Sequence, residues 1–302
     1  MSGLLLLDTP SLYYRAFYGV PESVTAPDGT PVNAVRGLLD MIAALVREHS
    51  PRELAACMDA DWRPAFRVAA IPSYKTHRLA ADGGEETPEA LVPQIGVIER
   101  VLDAAGIARI GVAGYEADDV IGTFTARSAG PVDIVTGDRD LFQLVDDARP
   151  VRVLYTVRGI KNIQPVDEAA VTDKYGIPGR SYADFAVLRG DPSDGLPGVP
   201  GVGDKTAAAL VTRYGSLAAL LDAADRDDPA LTRAQRARLA AARDYLAVAP
   251  AVVRVAPDAP VPETDLRLPA EPRDPGALAS LGERYGLASP LKRLAAALGW
   301  PA

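Results

Sequence analysis

Four short, mostly apolar runs constrain this chain more than any other feature: Leu4–Leu7, Leu54–Met58, Val132–Val135 and Val151–Tyr155. Each is strand length, and near-continuous apolar strands belong to parallel sheets buried on both faces. Helical patterns near 33–48, 88–105 and 116–128 separate them. Strands alternating with helices predict an α/β domain, a mostly parallel sheet with helices on both faces. After residue 166 the strand signal fades. Helical patterns at 167–175, 180–190, 204–214, 216–224 and 233–247 predict an all-α domain over 167–250. A Pro-rich stretch at 250–274 leads to patterns at 275–285 and 289–298, so 251–302 reads as a linker with C-terminal helices. The small, polar, turn-rich segment Ala80–Pro88 predicts a mobile loop.

The acids follow the strands. Asp8 directly follows the first run and Asp59 the second; Asp138 and Asp140 follow the third. Carboxyl ends of parallel strands share one edge, where ligands bind. Glu116, Asp118 and Asp119 open a helix, with 116 and 119 on one face. Asp191 and Asp194 lie in a Gly190–Gly195 turn. Any one of them alone is an ordinary turn or cap residue. Nine converging carboxylates repel too strongly unless cations sit between them. Oxygen ligands, in a chain with two histidines and one cysteine, select Mg²⁺ or Mn²⁺. Two such ions about 4 Å apart would activate water and stabilise the leaving oxygen of a phosphodiester.

The formal net charge of −8 argues at first against a nucleic-acid partner. The excess acid, however, is concentrated at the candidate site, and the remainder is close to neutral. The single cysteine, Cys57, excludes an internal disulfide and suits a reducing compartment. No signal-peptide pattern and no run of about 20 apolar residues is present, so a cytoplasmic protein without a membrane partner is expected.

Residues 198–209, Gly-Val-Pro-Gly-Val-Gly-Asp-Lys-Thr-Ala-Ala-Ala, read as a helix-hairpin-helix turn. Gly201 and Gly203 would let backbone N–H groups approach a phosphate, with Lys205 and Thr206 adding side-chain contacts. Such a hairpin grips duplex backbone without reading bases. Its outward carbonyls, at Val199 and Val202, with the Ser193 hydroxyl, are candidates to hold a monovalent cation. Tyr74-Lys75-Thr76-His77-Arg78, with Arg63 and Arg67 upstream, places basic charge where a scissile phosphate would need it. A solvated basic patch is the alternative. Tyr13, Tyr14, Phe17 and Tyr18 have helical spacing and read as core, or as a stacking face for a terminal base pair.

Together these strings resemble the bacterial 5′-nuclease family: flap endonucleases and the 5′→3′ exonuclease module of DNA polymerase I. The resemblance spans roughly residues 3–250. It rests on Asp8…Arg15, Asp59…Phe66-Arg67…Tyr74-Lys75-x-x-Arg78, Gly114–Gly122, Thr136–Leu141 and Gly190–Ala207. It implies a PIN-like nuclease domain over 1–166, with a helical arch at about 75–100, and a helix-three-turn-helix DNA-binding domain over 167–250 that holds the duplex on a K⁺-assisted hairpin. By position, Asp8, Asp59, Glu116, Asp118 and Asp119 would serve one metal, and Asp138, Asp140, Asp191 and Asp194 would complete a pair of sites. Lys75 and Arg78 would steady the scissile phosphate, Tyr74 would stack on a base, and Arg15 and Arg67 would contact DNA. The implied reaction is hydrolysis at a 5′ end or 5′ flap, leaving 5′-phosphate and 3′-hydroxyl. Its implied setting is replication and repair, on DNA or an RNA–DNA primer, by a monomer. With 302 residues no polymerase is expected to follow, and 27 Arg against 5 Lys suggests a high-GC, actinobacterial-type genome.

Four positions depart from the family pattern. Thr9-Pro10 replaces the usual Gly after the first acid. One extra residue precedes Phe66-Arg67, which leaves the roles of Arg63 and Arg67 open. Gly195 stands where Asn is usual. Segment 79–93 has no basic residue and four acids, Asp82, Glu85, Glu86 and Glu89. A PIN-type ribonuclease, or a DNA-structure-binding protein with an inactive site, are the alternatives.

Overall fold

In the computed structural model, which describes residues 3–301, the four apolar runs form the middle of a six-stranded sheet. Its strands are β1 (Leu4–Asp8), β2 (Glu53–Cys57), β3 (Ala108–Ile110), β4 (Val132–Thr136), β5 (Val151–Tyr155) and β6 (Gln164–Val166). The order is β3-β2-β1-β4-β5-β6; the first five are parallel, and β6 returns antiparallel to β5. The two edge strands are three residues each, too short to carry a readable apolar pattern.

The first five helices are α1 (Thr9–Gly19), α2 (Asn33–His49), α3 (Ala65–Ala70), α4 (Val92–Ala105) and α5 (Ala117–Arg127). The helical region holds α6 (Glu168–Tyr175), α7 (Tyr182–Arg189), α8 (Asp204–Tyr214), α9 (Leu217–Asp225), α10 (Arg233–Ala241) and α11 (Arg243–Val253). The chain ends with α12 (Pro275–Arg284) and α13 (Ala288–Leu298). The single pattern expected at 233–247 divides at Ala242, and its second half runs on through Pro250. Among the described residues no helix is long and apolar enough to cross a membrane.

Alternation along the strands explains the aliphatic runs. Leu4, Leu6, Ala55, Cys57, Ile134 and Val153 face one core, while Leu5, Leu7, Leu54, Ala56, Val135 and Leu154 face the other. The first core continues without a break into the helical region, through Phe185, Leu188, Leu210, Leu246 and Val253. The second lies under α1, α2 and α4 and is completed by Leu278, Leu287 and Leu294 near the C-terminus. The Pro-rich stretch joining them is a strap rather than a free linker. Leu54 N–H donates to the Leu266 carbonyl at 2.8 Å, and the Arg127 guanidinium donates to the Ala259 and Val261 carbonyls.

The expected helical arch is corrected in form. Only Thr76–Arg78 make a single 3₁₀ turn; residues 79–91 are irregular, with Leu79 bridged to Glu85, and helix begins again at Val92. Asp82-Gly83-Gly84 and Thr87-Pro88 are poor helix formers, and the positive φ of Gly83 fixes a turn.

Because β1 lies between β2 and β4, the connections leave it in opposite directions, and a crevice opens at its carboxyl end. The helix that starts there, α1, is seated on α2 at Gly37. A Cβ at that position would lie 2.8 Å from Ala16 Cβ and 3.0 Å from Val20 Cγ2. Gly37→Val should therefore destabilise the fold by about 1–3 kcal/mol through overpacking. Urea denaturation checks this; an unchanged midpoint would show that α1 and α2 separate freely.

Candidate active site

A cavity of about 340 Å³ occupies that crevice. Eight of the nine expected acids line it: Asp8, Asp59, Glu116, Asp118, Asp138, Asp140, Asp191 and Asp194. Lys75 and Arg78 complete its wall. Asp8 ends β1 and caps α1, accepting from Ser11 N–H at 3.2 Å and from the Thr136 hydroxyl at 2.6 Å. The last residue of β4 thus orients the acid of β1. Thr9-Pro10 occupies the first turn of α1, where a proline removes no needed hydrogen bond. Asp59 accepts from Ala117 N–H at 2.7 Å, tying the end of β2 to the start of α5. Asp191 accepts from Ser193 N–H, and Asp194 from Arg78 at 3.3 Å.

Burial dominates the electrostatics. It pushes the Asp8 carboxyl up to about 6, with the charge of Asp138 adding to it. It pushes Asp59 up to about 7, with Glu116 adding. Asp118 and Asp140 lie well above the usual carboxylate range, first from burial and then from acidic neighbours, and Asp194 is raised by burial. Burial works against the Lys75 charge, yet Glu116 and Asp194 outweigh it and hold the ammonium protonated. Among the described residues no three acidic or histidine side chains stand as a ready-made metal cage. The protein's own donors hold them instead: Glu116 is engaged by Lys75, Arg67 and Tyr74, and Asp59 by a backbone N–H. The donor set, all carboxylate oxygen, nevertheless fits hard divalent cations.

The basic segment is clamped onto the loop that carries Asp191 and Asp194. Lys75 has a left-handed backbone, φ 49°, and its N–H donates to the Asp194 carbonyl at 3.1 Å. The Ser73 hydroxyl donates to the Gly195 carbonyl at 2.9 Å. A Cβ on Gly195 would lie 2.2 Å from the Ser73 carbonyl oxygen, so this contact requires glycine where the family usually has Asn. Arg63 holds the segment from beneath, through the Tyr74 and Pro72 carbonyls.

Packing corrects three expectations. Arg67 is 3 % exposed and faces the interior; its guanidinium pairs with Glu116 and bidentately with Asp119, at 2.8 and 2.7 Å, and Nε donates to the Val252 carbonyl. It is a structural tie, not a surface for DNA. Asp119 is fully buried in that pair, also accepts from Ala256 N–H, and does not reach the cavity. Tyr74 is 3 % exposed and its hydroxyl donates to Glu116 at 2.7 Å, so its ring is no stacking platform here. Each correction has the same cause: a buried charge must be paired, and the pairing decides which way the side chain turns.

The remaining expected residues fall outside the carboxylate cluster or at its edge. Arg15 lies in the neighbouring groove, near the Val157 carbonyl. Gly201, Gly203, Lys205 and Thr206 form the hairpin and first turn of α8, with Gly201, Gly203 and Lys205 exposed. Ser193 lines the acidic cavity with its hydroxyl on Asp191. Val199 and Val202 bury their side chains, and the Val199 carbonyl accepts from Val202 N–H. Ser11 and Arg139 also line the cavity and were not singled out from the sequence; Tyr14, read there as core or a stacking face, and Glu85 line it too. Glu85 was visible as one of four acids in segment 79–93, but nothing there distinguished it from the others.

Two family models account for most of the chain. The 5′–3′ exonuclease N-terminal resolvase-like domain matches residues 3–176, and the 5′–3′ exonuclease C-terminal SAM fold matches residues 177–275. A 5′–3′ exonuclease of Streptomyces coelicolor is 63 % identical over 96 % of this chain and 98 % of its own length. A 5′–3′ exonuclease of Mycobacterium tuberculosis is 50 % identical over 98 % of each chain. Among solved structures, the bacteriophage T5 D15 flap endonuclease, in a complex with DNA and metal ions, matches with a TM-score of 0.63 over 98 % of each chain. At 15 % identity that likeness is one of fold.

The raised carboxyls set a pH dependence. At pH values between the ordinary 3.8 and about 6 to 7, folded Asp8 and Asp59 hold protons that the unfolded chain has released. Their contribution to stability therefore falls as pH rises through that window. For metal-free protein the thermal midpoint should be lower at about pH 8 than at about pH 5, and added Mg²⁺ should recover more at the higher pH. A midpoint that rises over this interval would contradict the assignment.

Proposed function

This chain belongs to the 5′–3′ exonuclease family, and from that premise we propose that it is a structure-specific nuclease cutting DNA at 5′ ends and 5′-flap junctions. The supporting observation is the convergence of eight carboxylates, from three strand ends, α5 and the loop before α8, on one cavity walled by Lys75 and Arg78. Two Mg²⁺ or Mn²⁺ ions bound among these oxygens would supply an activated water and offset charge on the leaving oxygen. Asp8, Asp59, Glu116 and Asp118 would hold the first, and Asp138, Asp140, Asp191 and Asp194 the second. Lys75, paired with Glu116, would exchange that carboxylate for an oxygen of the scissile phosphate, with Arg78, paired with Asp194, assisting. The products would be a 5′-phosphate and a 3′-hydroxyl.

In this reading residues 1–166 are the nuclease domain, 167–250 grip the duplex, and 251–302 strap the second to the first. The hairpin at Gly201–Thr206 would hold backbone phosphate through N–H groups and Lys205. K⁺ at the hairpin, a monomeric state and RNA-primer removal belong to the same proposal. The acidic loop 79–91 offers a single strand little attraction, so grip on the flap should be weaker than on the duplex.

A cleavage assay on a 5′-flap duplex with Mg²⁺ or Mn²⁺ tests the reading. Asp138→Asn should abolish cutting and leave binding measurable; cutting at the wild-type rate would remove the metal role. Lys75→Ala should lower the single-turnover rate at saturating DNA by about 10²-fold, the scale of losing one stabilising charge at the reacting phosphate. If only affinity changes, Lys75 is a phosphate anchor and not a catalytic group.

A further inference from the structure

Arg238, on α10, lies against the hairpin at Gly201. Its Nη1 donates to the Gly201 carbonyl at 3.0 Å. A Cβ built on Gly201 would lie 3.0 Å from Arg238 Cζ, 3.2 Å from Nε and 3.3 Å from Nη1. The guanidinium plane thus fills the space that a side chain at 201 would take. Gly201, at φ 76°, serves two needs at once: the left-handed turn and room for this cation.

The anchor on the hairpin sets Arg238 apart, rather than its lack of an ion pair, since Arg180, Arg213 and Arg233 of the helical region are also exposed and, among the described residues, form none. Arg226, Arg236, Arg243 and Arg254 are each paired with a carboxylate, Asp222, Asp227, Asp225 and Asp184 respectively. Arg238 is exposed, and among the described residues it has no carboxylate partner. One N–H is spent on the anchoring carbonyl, and the described residues offer the rest of the fork no hydrogen-bond partner. Lys205, also exposed, opens the helix that follows the same hairpin.

We propose that Arg238 is a further DNA-backbone contact of this protein: a guanidinium fixed in place by Gly201, binding duplex phosphate beside Lys205. The assignment rests on the reading of the hairpin as the duplex grip. An anchored guanidinium loses less freedom on binding than a free side chain, and its planar fork suits phosphate oxygens. The duplex affinity of a protein with net charge −8 depends on such placed cations rather than on its overall field.

The test is fluorescence anisotropy of the full chain on labelled duplexes of several sequences, with Ca²⁺ in place of Mg²⁺, across about 50–200 mM salt. Arg238→Ala should weaken binding by about tenfold on every sequence, the scale of one charge-assisted hydrogen bond. The slope of log affinity against log salt should shrink by about 0.9, the loss of one phosphate neutralised. Arg238→Gln keeps a donor for the Gly201 carbonyl without the charge, and should show the same loss of slope; Arg238→Lys should retain the slope. Wild-type affinity and slope in Arg238→Gln, or weaker binding by Arg238→Ala at unchanged slope, would make Arg238 a structural anchor and overturn the proposal. Lys205→Ala separates the two levels. Loss at Lys205 with none at Arg238 overturns the assignment of Arg238 alone; no loss at either overturns the hairpin reading with it.

Discussion

The guanidinium of Arg67 is held on three sides. Glu116 and Asp119 take its two terminal nitrogens, and the Val252 carbonyl takes Nε. Those partners belong to the N-terminus of α5 and the end of α11, and Arg67 itself stands on α3. One buried cation therefore joins the helix that presents two cavity acids to the last helix of the helical region. Removing it would strand two carboxylates in the interior, which is far costlier than losing a surface pair. Asp119 extends the tie through Ala256 N–H, and Gly122 allows the strap to lie directly on α5, since a Cβ there would sit 2.7 Å from the Ala256 carbonyl. The position of Glu116 is accordingly set from behind the cavity as well as from within it.

The cavity works against its own burial. Its carboxylates are raised because the crevice removes water from them, and the cations that meet them, Lys75 and Arg67 on Glu116, Arg78 on Asp194, and Arg189 and Arg139 on Asp191, do not balance eight acids. Such a site stores unfavourable charge that divalent ions would relieve. The net charge of the chain says little about this, because it averages an acidic crevice with surfaces where arginine and aspartate are already paired.

How much of this was legible in the sequence follows from range. The strands and the acids at their ends were readable, since period-two burial and strand-end position are local signals; Asp8, Asp59 and Asp138 follow their strands as the pattern requires. Direction was not readable. Arg67 and Tyr74 sit in a basic motif that looks outward on paper, and they turn inward because Glu116 and Asp119, about fifty residues later in the chain, need partners. Gly195 looked like a lost asparagine and is instead a point of backbone contact with Ser73. Arg238 carried no motif at all; only the fold brings it to Gly201. The segment expected as a helical arch at about 75–100 is helical only at Thr76–Arg78 and from Val92, because the residues between, Gly83-Gly84 and Pro88, oppose helix.

The return of α13 onto α2 has a consequence for the order of events during synthesis. The core beneath α2 contains Leu38 and Ile42 from the first fifth of the chain and Leu287 and Leu294 from its last. While residues beyond about 275 are still inside the ribosome, α2 and α4 lack the α13 and α12 that pack on their outer side, and the apolar residues of that contact are open to solvent or to a chaperone. The helical region shares the core of the opposite sheet face, through Phe185, Leu210 and Leu246, and that core takes no residue from α12 or α13. That core can therefore assemble on the nascent chain before the outer side of α2 and α4 is covered.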